Sequence, residues 1–143
     1  MKLNSQVFIR LPLISALTLF GGNALAADAP MICAVTHAIS CQKARDCRSG
    51  SARDINLPLF LKINPEKNEI LSVKENGERR TSVIKQTTMD KDNRFVIYQG
   101  VEQGGAWSTV IDKATGSMTI SIAAGNNDAY IVYGACSVSL LKP

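Results

Sequence analysis

Three of the four cysteines and the single histidine fall in one stretch, CAVTHAISCQKARDC, from Cys33 to Cys47. Thiols beside an imidazole can hold a metal, exchange electrons, or crosslink the chain. The metal reading has a coherent form, because Cys33, His37 and Cys41 are spaced four apart and would line one stripe of a helix. The residues between them argue otherwise. Ile32, Val35, Thr36 and Ile39 are β-branched and favour extended backbone. On a strand, residues four apart stand roughly 13 Å from each other, at about 3.3 Å per residue, outside any shared coordination sphere. No metal site is therefore expected. The redox reading lacks C-x-x-C, C-x-x-C-H and a surrounding βαβ pattern, and no cofactor is expected.

Crosslinking remains, with Cys136 as the fourth thiol. Four cysteines allow three connectivities. If Met31 to Ser40 is extended, Cys33 and Cys41 cannot approach within the roughly 7 Å between Cα atoms that a disulfide needs. Of the other two arrangements, Cys33–Cys136 with Cys41–Cys47 is preferred. It would tie the opening strand to the closing one and pin a short basic loop. The crossed alternative stays open at this point.

His37, on a strand, shares a face with Cys33, Val35 and Ile39, so an inward or half-buried packed histidine is expected. Histidine is also the commonest general base, which makes a small hydrolase using His37 and an acidic residue a second alternative function. No G-x-S-x-G, P-loop, G-x-G-x-x-G after a strand or H-E-x-x-H accompanies it, and the expectation is that the protein is not an enzyme. Asp90, Asp92 and Asn93 in MDKDNR resemble the start of a calcium loop but lack its glycine and closing glutamate. Asp112, Thr115 and Gly116 form a D-x-x-T-G turn, in which Asp and Thr bond the backbone and Gly takes positive φ.

The remaining candidates for contact are Lys43, Arg45 and Arg48, in the densest basic run, which extends to Arg53, and the only tryptophan, Trp107, expected in the core or at a barrel mouth. Asp46 and Asp54 interrupt the basic run, as in a solvated loop.

These residues must be positioned by short extended elements. The 143-residue chain opens with Lys2 and Arg10, an apolar run LPLISALTLF and an Ala24-Leu25-Ala26 ending. That is the form of a secretory signal, and about ten apolar residues are too few to span a bilayer. Residues 1–26 are read as a cleaved leader and residues 27–143 as one domain, with no lipid anchor. The whole chain carries 16 basic and 12 acidic residues. Two of the basic ones leave with the leader, and so mild a surplus gives no case for nucleic acid.

Downstream, apolar residues alternate in short runs separated by turn residues. NLPLFLKI (residues 56–63) puts Leu57, Leu59, Leu61 and Ile63 on one face. EILSVK, TSVIKQT, FVIYQGV, AWSTVID, SMTISIAA and AYIVYGACSV follow. The breaks are NPEKN, ENGE, MDKDNR, EQGG, KATG and GNND, and Asn76-Gly77 is expected to form a tight primed hairpin turn. Lys43 to Arg53 has room for a helical turn, but no later window shows a 3.6-residue apolar stripe. With Met31–Ser40 included, the count is about eight strands. The fold expected is all-β: a small antiparallel meander, barrel-like or a sandwich, stapled by disulfides.

Residues 98–136 contain YQGVEQGGAWSTVIDKATGSMTISI and then YGAC. The pattern W-S-x-x-I-D-x-x-T-G followed by Y-G-x-C resembles small exported bacterial proteins of unknown function. The resemblance implies an all-β fold and an envelope location, and no activity.

Together these readings lead to an exported binding module of the bacterial envelope, periplasmic or secreted and monomeric. It would hold a small ligand in the barrel or block a protein partner with its loops, as an inhibitor does. An acidic partner suits the charge better than a basic one. The first alternative is a structural or stress-related envelope component that works through subunit association.

Overall fold

Two-residue apolar periodicity and turn residues divide the chain into nine strands. These are β1 (Met31–Gln42), β2 (Asp46–Gly50), β3 (Phe60–Asn64), β4 (Glu69–Val73), β5 (Arg79–Met89), β6 (Phe95–Glu102), β7 (Gly105–Asp112), β8 (Ser117–Ala124) and β9 (Ala129–Val138). The computed structural model describes residues 29–43 and 45–138, and there is no helix among them. The expected leader, residues 1–26, lies outside the described residues.

Every pairing is antiparallel, and consecutive strands from β3 to β9 are neighbours. β1 closes the ring. One edge of it pairs with β9, from Met31 opposite Val138 to Cys41 opposite Ala129. Its other edge is shared: β3 takes Met31 to Ala34, and β2 takes Ala38 to Gln42. The result is a closed eight-stranded barrel with β2 appended. Closure removes the unpaired edges that an open sheet of this size would present.

Alternate residues point inward and fill the barrel. Cys33, Ala38, Ile63, Val96, Tyr98 and Thr109 are among the most deeply buried, and the core also takes in Leu61, Ile70, Ile84, Ile111, Met118, Ile120 and Val132. The outward set includes Lys62, Thr81, Gln99, Thr119 and Ser121, all exposed. An apolar inside and a polar outside is the reverse of a membrane-spanning barrel.

The segment between β2 and β3 also belongs to the core. Ala52 is buried, and Ile55, Leu57 and Leu59 pack against the same cluster. Leu57 N donates to Ala52 O at 2.8 Å, and Asn56 N donates to Arg53 O at 3.1 Å. The apolar alternation of residues 57–63 is therefore real, but the strand begins only at Phe60. The helical turn expected within Lys43–Arg53 is replaced by β2, and the turn falls later, at residues 52–56.

The primed turn expected at Asn76-Gly77 is found in a different hairpin. At Asn76-Gly77 only Gly77 has positive φ, 82°. Gly77 N donates to Lys74 O, and Lys74 N to Glu78 O, both at 2.9 Å. This is a three-residue connection with a glycine bulge rather than a primed turn. The two-residue primed geometry occurs instead between β6 and β7, where Gln103 and Gly104 have φ of 48° and 79° and Glu102 pairs with Gly105.

Candidate functional site

The disulfides come first, because they set the frame for everything else. Cys33 bonds Cys136 and Cys41 bonds Cys47, across 103 and 6 residues. Both are cross-strand: Cys33 stands opposite Cys136 at the β1–β9 seam, and Cys41 opposite Cys47 in the β1–β2 hairpin. The two bridges have different surroundings. Cys33 is fully buried, whereas Cys47 is exposed and Cys41 half-buried. With both bonds made, no free cysteine remains and no metal cluster is found among the described residues.

His37 does not sit where simple alternation puts it. Val35 pairs with Gly134, but His37 pairs with Tyr133, so Thr36 is an extra residue in β1, a β-bulge. One inserted residue inverts every later side chain. Cys33 and Val35 face inward before the bulge, and Ala38 and Ser40 face inward after it. His37 is consequently exposed on the outer face. Its Nε2 lies 2.8 Å from Ser49 Oγ on β2, and its ring is 6.4 Å from that of Tyr133. Thr36 Oγ1 donates to the Tyr133 carbonyl at 3.2 Å. The His37–Ser49 pair has the reach of a base and a nucleophile. No carboxylate bonds the imidazole among the described residues, so the third, orienting member of a triad is not in place.

The basic residues are carried by the same hairpin. Lys43 and Arg45 flank its tip, and Arg48 lies on β2 opposite Ser40. All three are exposed, and none makes an ion pair among the described residues. Lys43 has a φ of 49°, and its backbone N donates to Asp128 Oδ1 at 3.1 Å, tying the tip to the β8–β9 turn. Arg53 is different: it pairs with Glu75 at 2.7 Å. Asp54 accepts from Ser51 N at 2.9 Å and Ser51 Oγ at 2.7 Å, and these bonds hold its carboxyl below the usual carboxylate range.

Trp107 belongs to the interior, three strands away round the barrel. It faces Gly100 of β6 and packs against the core, with its indole Nε1 buried and unbonded. The structure does not bring Trp107 together with Lys43, Arg45 and Arg48. A shallow groove of about 670 Å³ runs over the β6–β7 turn, lined by Val101 to Ala106 and Ala123 to Gly125.

At the opposite end of the barrel Asp90, of the candidate calcium residues, and the D-x-x-T-G turn serve as structural turn anchors. Asp90 Oδ1 accepts from Phe95 N at 2.8 Å. Arg94 grips Asp112 with Nη2 at 2.7 Å, and Ala114 N donates to the other carboxylate oxygen at 2.9 Å. The arginine first, and then the backbone donors, bring Asp112 from 3.8 down to about 2. Gly116, at φ 75°, sends its carbonyl to Cys136 N at 2.7 Å.

The feature that sequence reasoning missed is the bulge at Thr36. Its one signal is Gly134 on the partner strand, where a Cβ would collide with the Ala34 carbonyl. Comparison of the chain with protein-family models, with curated proteins and with solved structures finds no match.

Proposed function

We propose that the chain is an exported, non-enzymatic binding module of the bacterial envelope that engages an acidic partner through the Cys41–Cys47 hairpin. The observation that carries this reading is the hairpin itself. It projects Lys43 and Arg45 from a short loop closed by a disulfide, with Arg48 just beyond Cys47, and none of the three makes an ion pair among the described residues. A stiff loop loses little entropy on binding, which favours capture or inhibition of a partner. A barrel filled by its own side chains favours contact through loops over retention of a small ligand inside.

Two bonded disulfides place the folded chain in an oxidising compartment. The leader read from residues 1–26 supports the periplasm or the exterior as that compartment.

A second reading, subunit association, draws on one observation. Among the described residues β2 pairs only with β1, which leaves its other backbone edge without a strand partner and available for strand addition. Asp46 and Arg48 on this five-residue strand oppose such pairing.

The test places a photoreactive phenylalanine analogue at Arg48, or at Lys91 on the far end, in cells that export the protein. The expected result is a discrete adduct from position 48 that disappears when Lys43→Glu and Arg45→Glu are added. Equal labelling from both positions, or none, overturns the reading. An adduct of the protein with itself, together with an oligomer on size exclusion, selects subunit association instead.

A further inference from the structure

We propose that Cys41–Cys47 is a thiol-exchange site for small anionic thiols, while Cys33–Cys136 is inert in the folded protein. Four observations on the hairpin lead there. First, Cys47 is exposed and Cys41 half-buried, so an external thiolate can reach the bond. Second, β2 has a neighbour on one edge only, and opening the bridge disturbs no third strand. Third, the bridge closes a loop of only 6 residues in sequence, so little chain entropy is returned when it breaks. Fourth, Lys43 and Arg45 stand at the tip without ion-pair partners, whereas Arg48 and Asp46 on β2 offset each other. Asp128, whose Oδ1 accepts from Lys43 N, removes one more charge, and a net charge of about +1 remains at the tip. Cations next to a cysteine stabilise its thiolate and make it a better leaving group.

Cys33–Cys136 has the opposite surroundings. Cys33 is wholly buried in the core and Cys136 is half-buried, so neither sulfur's residue is exposed as Cys47 is, and both strands that the bridge joins are paired on each side. In-line attack on that bond is hindered on the Cys33 side until the barrel opens.

The exchange balances without a further reactant. A thiolate attacks Cys47 Sγ; a bond from its sulfur to Sγ forms, the bridge breaks, and the electron pair leaves on Cys41 Sγ. A second thiolate attacks the external sulfur of this mixed disulfide and releases the oxidised thiol dimer and the Cys47 thiolate. Two electrons pass from two external thiols to the protein, and the protons those thiols shed end on Cys41 and Cys47. Arrest after the first step leaves the anionic thiol attached at Cys47, where it neutralises the hairpin tip.

The experiment follows reduction of the native oxidised protein by mercaptoethanesulfonate, 2-mercaptoethanol and cysteamine, which are anionic, neutral and cationic thiols. Samples are alkylated and the modified cysteines mapped by mass. The expected result is that Cys41 and Cys47 are labelled first, with Cys33 and Cys136 still joined. Rates corrected for thiol pKa should run anionic over neutral over cationic, by roughly fivefold per unit of charge at low salt. The spread should collapse at about 1 M salt. Lys43→Gln with Arg45→Gln should abolish the charge ordering while leaving Cys41–Cys47 the first to open. Lys91→Gln with Lys113→Gln, at the other end, should keep the ordering. Labelling of all four cysteines together, Cys33–Cys136 opening first, or rates indifferent to thiol charge would each overturn the proposal.

Discussion

Gly100 of β6 lies directly opposite Trp107 of β7, and the indole ring occupies the space a side chain at position 100 would need. A Cβ there would overlap both the Trp107 ring and the Val83 carbonyl. The tryptophan is thus seated by the absence of a side chain on its neighbour.

Gly100→Ala should therefore destabilise the barrel by about 2 kcal/mol or more, as overpacking does. Gly77→Ala should cost only about 1 kcal/mol, because φ at Gly77 is positive but nothing crowds it. Urea unfolding followed by Trp107 fluorescence separates the two. Equal losses would mean that the indole moves aside freely.

The two bridges should contribute unequally to stability. In the chain-entropy model, a loop spanning 103 residues gives about 5 kcal/mol and one spanning 6 gives about 2 kcal/mol. Replacing Cys33 and Cys136 together by Ala should cost the larger amount, and replacing Cys41 and Cys47 the smaller. Urea midpoints of the two double variants check the order. A larger loss from the hairpin pair would show that β2 holds more of the fold than its single neighbour implies.

Asp112 sets an acid limit. Its folded pKa lies below that of the unfolded chain, so its contribution is fully present above about pH 4. That contribution declines as pH falls from 3.8 through about 2, as the carboxyl protonates and releases Arg94. Asp112→Asn should flatten the dependence of the urea midpoint on pH in this window. An unchanged slope would assign the acid sensitivity to other carboxylates.

Thr109 is fully buried, and its Oγ1 has no hydrogen-bond partner among the described residues. Thr109→Val keeps the shape and removes the unbonded hydroxyl, so it should be neutral or stabilise by up to about 1 kcal/mol. Thermal unfolding of the variant is the check. A marked loss would indicate that the hydroxyl is bonded in solution.

How far the sequence reaches is clearest along β1. Alternation correctly marks Met31 to Ser40 as extended, and the span between Cys33 and Cys41 correctly excludes a bond between them. The same alternation misplaces His37, because a period of two carries no memory across an inserted residue. Nothing in AVTHAIS marks Thr36 as the extra one. The bulge is set by β9, where Gly134 admits the Ala34 carbonyl at close range.

The amino-acid sequence by itself determined eight of the nine strands, their order and the favoured cysteine pairing, while β2 falls where a helical turn is expected. These depend on local alternation, on β-branched and turn residues, and on distances along one extended segment. Only the tertiary structure decided that β1 meets β9, that β2 and β3 share one edge of β1, and that residues 52–59 fold into the core. It also decided that the primed turn falls at Gln103-Gly104 and that His37 faces solvent. Each of these is set by a partner distant in the chain, and the geometry of closing eight strands selects among local conformations that the residues alone leave equally accessible.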